Sequence, residues 1–156
     1  MNAVSGRQAQ QGVAMIEFAI ALPLLLLLLL GVGEFGRMLF HYNSLLQASR
    51  DAARYAAGQS WDSTLGQMDL NADLQAEIRS VAVYGVPSAL AGFAAVVPDL
   101  DTTHVSVQQV AADGRYVQVS IAYPFQPVIG NVLPSFYGAD IPLNVTLNAT
   151  VVMRAL

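Results

Sequence analysis

The chain has no cysteine, no lysine, two histidines and few charges of either sign. Without cysteine there is no disulfide framework, no thiolate zinc site and no lipidated cysteine anchor. Without lysine, every basic residue is an arginine. Arg7, Arg37, Arg50, Arg54, Arg79, Arg115 and Arg154 are scattered rather than clustered, so no nucleic-acid footprint exists. Charged residues make up 12% of the 156 residues, about half the share usual for a soluble protein. That length suits one domain, or one domain with an appendage.

What is present in excess is apolar, 54% of the chain, and the excess lies near the N-terminus. From Val13 to Gly33 a single charge, Glu17, interrupts an apolar stretch that contains seven consecutive leucines, Leu24 to Leu30. As a helix this stretch spans about 31 Å, the thickness of a bilayer's hydrocarbon layer. The leucine run leaves no polar face, which argues against a soluble core helix. A secretory signal peptide has a shorter apolar core followed by a small-residue cleavage site; here the run is longer, and "GVG" at 31–33 is only passable as such a site. Residues 34–156 alone read as an ordinary small globular domain, long enough to bury a modest core.

Before the run stands "MNAVSGRQAQQG", short, polar and free of acids. Together with "GVAMIEFAIALPLLLLLLLGVGEFGR" it resembles the start of the TadE-like family, minor pilins (pseudopilins) of tight-adherence type IV pili. The resemblance covers residues 12–57. It implies a leader, residues 1–12, cut by a prepilin peptidase between Gly12 and Val13, which leaves Glu17 as the fifth mature residue. The leader departs from the pattern in carrying one basic residue, Arg7. The resemblance also implies a transmembrane helix over 13–33 and a periplasmic head over 34–156. It implies one pass through the inner membrane with the N-terminus in the cytoplasm, and a subunit able to enter the pilus. Implied partners are the major pilin, a companion pseudopilin, the inner-membrane assembly platform and membrane lipid. Counting basic residues points the other way on orientation, since one arginine precedes the span while Arg37, Arg50 and Arg54 follow it.

Cleavage gives Glu17 a physical purpose. It creates an α-amine on Val13, four residues earlier and on the same helix face. A carboxylate at mid-bilayer costs about 3 kcal/mol; Glu17 lies only ~6 Å along the mature helix, where the cost is less. The new amine, of the same chain or a neighbour, would neutralise it. Pro23 removes the hydrogen bond to the Ala19 carbonyl and should bend or loosen the helix, which membrane helices tolerate.

"GVGEFG" at 31–36 has the glycine spacing of a dinucleotide-binding loop, but it follows no strand. Glu34 and Arg37, three apart, read instead as the membrane boundary. The helix should continue along a stripe of Leu39, Tyr42, Leu46, Ser49, Ala53 and Ala56 to a stop near Gly58, with His41 on its membrane-proximal surface. From Val13 to Ala57 that is ~68 Å, a transmembrane half and an amphipathic half. A second helix is expected over 69–84 on Leu70, Leu74, Ile78, Val81 and Val83, followed by a connection broken by glycine and proline, 85–98. A hairpin should turn at Asp113-Gly114. Its second strand points Val117, Val119, Ile121 and Tyr123 inward, and a third strand does the same with Val145, Leu147, Ala149, Val151 and Met153. The expected fold is α+β: a long N-terminal helix packed on a small antiparallel sheet, with a second helix.

Chemistry finds little purchase. "DLDTTH" offers Asp99, Asp101 and His104 as a conceivable metal site, yet no other ligand cluster assists, and a polar loop entering a strand is the better reading. No serine sits in a nucleophile-elbow pattern. Asn144-Val-Thr146 and Asn148-Ala-Thr150 match glycosylation sequons but read as strand alternation. No cofactor, metal or catalytic residue is assigned, and no enzyme activity is expected. The segment 124–137, "PFQPVIGNVLPSFY", is too apolar for a solvated loop, so it either covers the core, the reading preferred here, or contacts another subunit. The competing functional reading is an uncleaved, single-pass anchored periplasmic binding module. An anchored hydrolase would need a convergent polar constellation that the sequence lacks.

Overall fold

Strong helix formers fill both the leucine run and the alanine-rich stretch after it, and the chain answers with one helix, α1 (Ser5–Gln59), unbroken across Pro23. The computed structural model describes residues 5–88, 92–110, 114–128, 130, 132–133 and 138–156. α1 runs one residue beyond Gly58. It ends at Gln59, and the N–H of Ser60 still reaches the Ala56 carbonyl at 2.9 Å. A two-residue hairpin then follows, β1 (Trp61–Asp62) against β2 (Gln67–Met68). Asp62 closes it by accepting from the N–H groups of Thr64 and Leu65, and Gly66 supplies the positive φ of 65° the turn requires.

The C-terminal half of α1 is the spine of the head. Its inward face is His41, Leu45, Ala48, Ser49, Ala52, Ala53, Ala56 and Ala57, all buried. Ser49, Ala53 and Ala56 lie inward as spacing suggested, while the start of the expected stripe is corrected. Leu39 and Tyr42 lie on the outside, 43% and 38% exposed, while His41, expected on the surface, is 6% exposed. A repeat of three and four gives the period of a helix face but not its phase. From Ala48 onward the small residues Ala52, Ala53, Ala56 and Ala57 let the helix lie close against both the sheet and α2.

α2 (Ala72–Tyr84) starts three residues later than the periodicity suggested, because Asn71 caps it, accepting from the Leu74 N–H at 2.8 Å. It buries Leu74, Ile78, Val81, Ala82 and Val83 and ends at Gly85, left-handed at φ 76°, whose N–H bonds the Val81 carbonyl. Across the crossing, Tyr55 of α1 donates to Glu77 at 2.8 Å. The 85–98 connection is tied back by Val96 N–H to the Val83 carbonyl at 2.8 Å.

The main sheet is antiparallel, in the order β3 (Val105–Val110), β4 (Tyr116–Pro124), β7 (Thr146–Arg154). Register lines up Val105, Ile121 and Ala149 in one row, and Val107, Val119 and Val151 in the next. Val117, Val119, Ile121 and Tyr123 are buried as their alternation required. Each such aliphatic side chain contributes ~1.5–3 kcal/mol by leaving water. Leu147 and Ala149 are buried as well, with Val151 and Met153 partly so. Val145 is a correction: it precedes the strand and stands 46% exposed. The β3–β4 connection carries Gly114 at φ 63°; Asp113 lies outside the described residues.

The apolar segment after β4 divides in two. Phe125 enters the core at 3% exposure, whereas Val128 is 80% exposed. Part of the remainder forms a short pair, β5 (Val132–Leu133) with β6 (Ile141–Pro142). Residues 129, 131 and 134–137 of that stretch lie outside the described residues.

Candidate functional site

At the N-terminal end, residues 12–20 of α1 are exposed throughout. Val13 and Glu17, four apart, share one face, and among the described residues Glu17 has no hydrogen-bond or ion-pair partner within the chain. A Cβ built on Gly12 would meet nothing within 4 Å. Packing therefore does not ask for glycine there, although glycine in a helix interior costs ~1 kcal/mol relative to alanine. Among the described residues nothing buries the most apolar window of α1, and the helix is long and apolar enough to cross a membrane.

Where that window ends, the head takes hold of the helix. Glu34 and Arg37 pair across one turn, as their spacing allows. What spacing did not reveal is that Glu34 is 8% exposed, roofed by the chain leaving β4. Its Oε1 also accepts from the Val128 N–H at 3.3 Å. Arg37 donates to the Gln126 carbonyl, and its guanidinium lies 4.5 Å from the ring centroid of Phe125, a cation–π contact. One ion pair on the helix thus satisfies two backbone groups of the 126–128 segment.

One turn further along α1, His41 packs edge-on against Tyr123 and Phe125, with ring centroids 5.9 and 5.7 Å away. Its Nδ1 is buried without a hydrogen-bond partner among the described residues. Burial lowers its pKa below 6.5, and the nearby Arg37 charge lowers it further against the opposing influence of Glu34. The histidine is held neutral, as a packing group of the helix–head joint. The Tyr123 hydroxyl at this joint donates to the Pro98 carbonyl at 2.9 Å.

Beside the ion pair lies a groove of about 310 Å³, lined by Gly31, Glu34, Phe35, Met38, Phe125, Leu143 and Val145 and almost wholly apolar. Sequence reading did not find it. The one signal available was charge depletion: from Tyr116 to Met153 the sole charged residue is Asp140.

The other sequence candidates are placed plainly. "GVGEFG" is helical throughout and forms no phosphate-cradling loop. In "DLDTTH", Asp101 caps a turn of 3₁₀ helix (Thr102–His104), accepting from the Thr103 N–H at 2.7 Å, while His104 Nδ1 accepts from the Asp101 N–H. The Thr103 hydrogen bonds hold the Asp101 carboxyl below its usual pKa. Among the described residues, no group of three or more histidine, aspartate or glutamate side chains is gathered as metal ligands.

These features define a class: a small α+β protein whose N-terminal helix can cross a membrane once and then serves as the spine of the head. Over residues 12–54, the helix from Gly12 to Arg54, the chain matches the family model described as TadE-like protein. No curated protein and no solved structure matches it.

Proposed function

We propose that the chain is a minor pilin, or pseudopilin, that takes part in assembling a tight-adherence type IV pilus at the bacterial inner membrane. The observation that carries this reading is where the TadE-like match begins: at Gly12, the residue after which a prepilin peptidase would cut. The glycine has no packing reason to be there, and Glu17 follows at the distance that puts it beside a new amine on Val13. The protein then works by association rather than by a reaction of its own. Helix packing in the bilayer and pairing of Glu17 with an amine bring it to the major pilin, a companion pseudopilin and the assembly platform. The head would stand in the periplasm and the leader in the cytoplasm.

N-terminal sequencing and intact mass of the membrane-extracted protein test this. The expected mature chain starts at Val13. An intact N-terminus in cells that process other prepilins would replace the pilin reading with that of an uncleaved anchored module.

A further inference from the structure

The helix–head joint also fixes the height of the head over the membrane. α1 rises ~1.5 Å per residue, so Glu34 stands about 31 Å above Val13, at the far boundary of a hydrocarbon layer ~30 Å thick. The Val128 N–H is hydrogen-bonded to Glu34, so the 126–128 segment lies at that same boundary. The exposed side chains there are apolar: Val128, in that segment, is 80% exposed, and Val145, on the groove, 46%; Ile141 at 56% and Val132 at 49% belong to the β5–β6 pair that leads directly into Leu143 of the groove. All four belong to the stretch after β4, and the groove beside them opens between Gly31 and Phe35 on the helix and Leu143 and Val145 on the head. The groove is therefore continuous with the uncovered apolar surface of α1 below it.

From this we infer that the underside of the head, on which Val128, Val132, Ile141, Leu143 and Val145 stand, is a lipid-contacting surface. It rests in the interfacial layer of the bilayer that α1 crosses, and its groove takes the upper part of a phospholipid acyl chain. Charge supports the assignment to lipid. Asp140 is the only charge between Tyr116 and Met153, and the two charges at the groove's rim, Glu34 and Arg37, are spent on each other. A water-facing surface of this size normally carries both signs of charge, and exposed apolar patches mark contact sites. The inference rests on the span reading of α1 and is independent of leader cleavage.

The absence of native cysteine permits a direct test with the full chain in phosphatidylcholine–phosphatidylglycerol vesicles. Single variants Val128→Cys and Ile141→Cys, each at a mostly exposed position, carry an environment-sensitive fluorophore. Gln108→Cys, on the outer face of β3, serves as the water-facing reference, and Leu26→Cys as the bilayer reference. Lipid bearing a nitroxide near the top of its acyl chain should quench the labels at 128 and 141 at least threefold more than the label at 108. Iodide should quench them at least twofold less. Circular dichroism of each labelled variant checks that the head is folded. Iodide quenching at 128 and 141 equal to that at 108 would overturn the inference. So would shielding from both quenchers that rises with protein-to-lipid ratio, because a second copy would then cover the face. If iodide quenches the Leu26 label as strongly as the label at 108, the span falls and this inference with it; shielding from iodide at 26 alone sinks only the inference.

Discussion

The carboxylate of Glu34 accepts a hydrogen bond from the Val128 N–H, 94 residues later, at 3.3 Å. The same oxygen holds Arg37, which in turn donates to the Gln126 carbonyl. The joint between helix and head is thus electrostatic at its rim and aromatic beneath, where Phe125 and His41 meet.

Glu34→Ala should loosen that joint. It removes the ion-pair partner of Arg37, which keeps the Gln126 carbonyl, and leaves the Val128 N–H without its acceptor, at a cost of about 0.5–1.5 kcal/mol, the net worth of one intramolecular hydrogen bond. Glu34→Gln keeps an acceptor for Val128 and should cost less. Amide hydrogen exchange at Val128 reads the difference. Equal protection in wild type and Glu34→Ala would show that the segment is held by packing alone.

His41 makes stability depend on pH with a defined sign. Its pKa is lowered on folding, so the unfolded chain binds the extra proton more readily. Stability is full above about 6.5, the unfolded value, and is lost as pH falls below it toward the folded value. Thermal unfolding of the detergent-solubilised protein should therefore show a Tm that drops on acidification. His41→Leu should flatten that drop, and at neutral pH should be neutral or stabilising by up to about 1 kcal/mol, because it removes a buried unpaired nitrogen. An unchanged acid slope in the variant would assign the pH dependence elsewhere.

Ala52 and Ala53 are wholly buried where α1 meets its neighbours. Ala53→Leu should destabilise the head by ~1–3 kcal/mol through overpacking. The same replacement at exposed Gln47 should change stability by no more than about 0.5 kcal/mol. Denaturant midpoints of the two variants give the comparison, and a tolerant Ala53→Leu would mean that the helix stands further off than the core geometry indicates.

Glu17→Ala removes the one charge inside the apolar run, so membrane insertion should be unchanged or slightly improved. Processing at Gly12 should persist. What should fail is entry into an assembly, because an amine on Val13 loses its carboxylate partner; truncating one member of a buried pair costs ~3–5 kcal/mol, and less at interfacial depth. Co-purification with pilin partners and piliation in a complemented strain are the readouts. Full piliation would reduce Glu17 to a tolerated, headgroup-facing residue. Gly12 replaced by a bulky residue should give the opposite pattern: uncut protein that still inserts.

Much of the architecture was legible before any coordinates, because it is written in short-range patterns. A leucine run makes a helix of membrane length wherever it is placed. Alternation in Val117, Val119, Ile121 and Tyr123 commits one face of a strand to the interior, and the apolar repeat of Leu74, Ile78 and Val81 places α2 to within three residues of its start. The spacing of Gly12, Val13 and Glu17 needs no fold at all. Tertiary structure alone decided which face of α1 turns inward, since Leu39–Tyr42 and His41–Leu45 satisfy the same period. It alone made His41 a core residue and brought Val145 out of the sheet. It alone joined Glu34 to a backbone N–H on the far side of the chain. Local patterns encode backbone conformation and period; phase and long-range pairing depend on which surfaces can approach closely enough to exclude water, and residues ninety positions apart leave no mark of that in their neighbours.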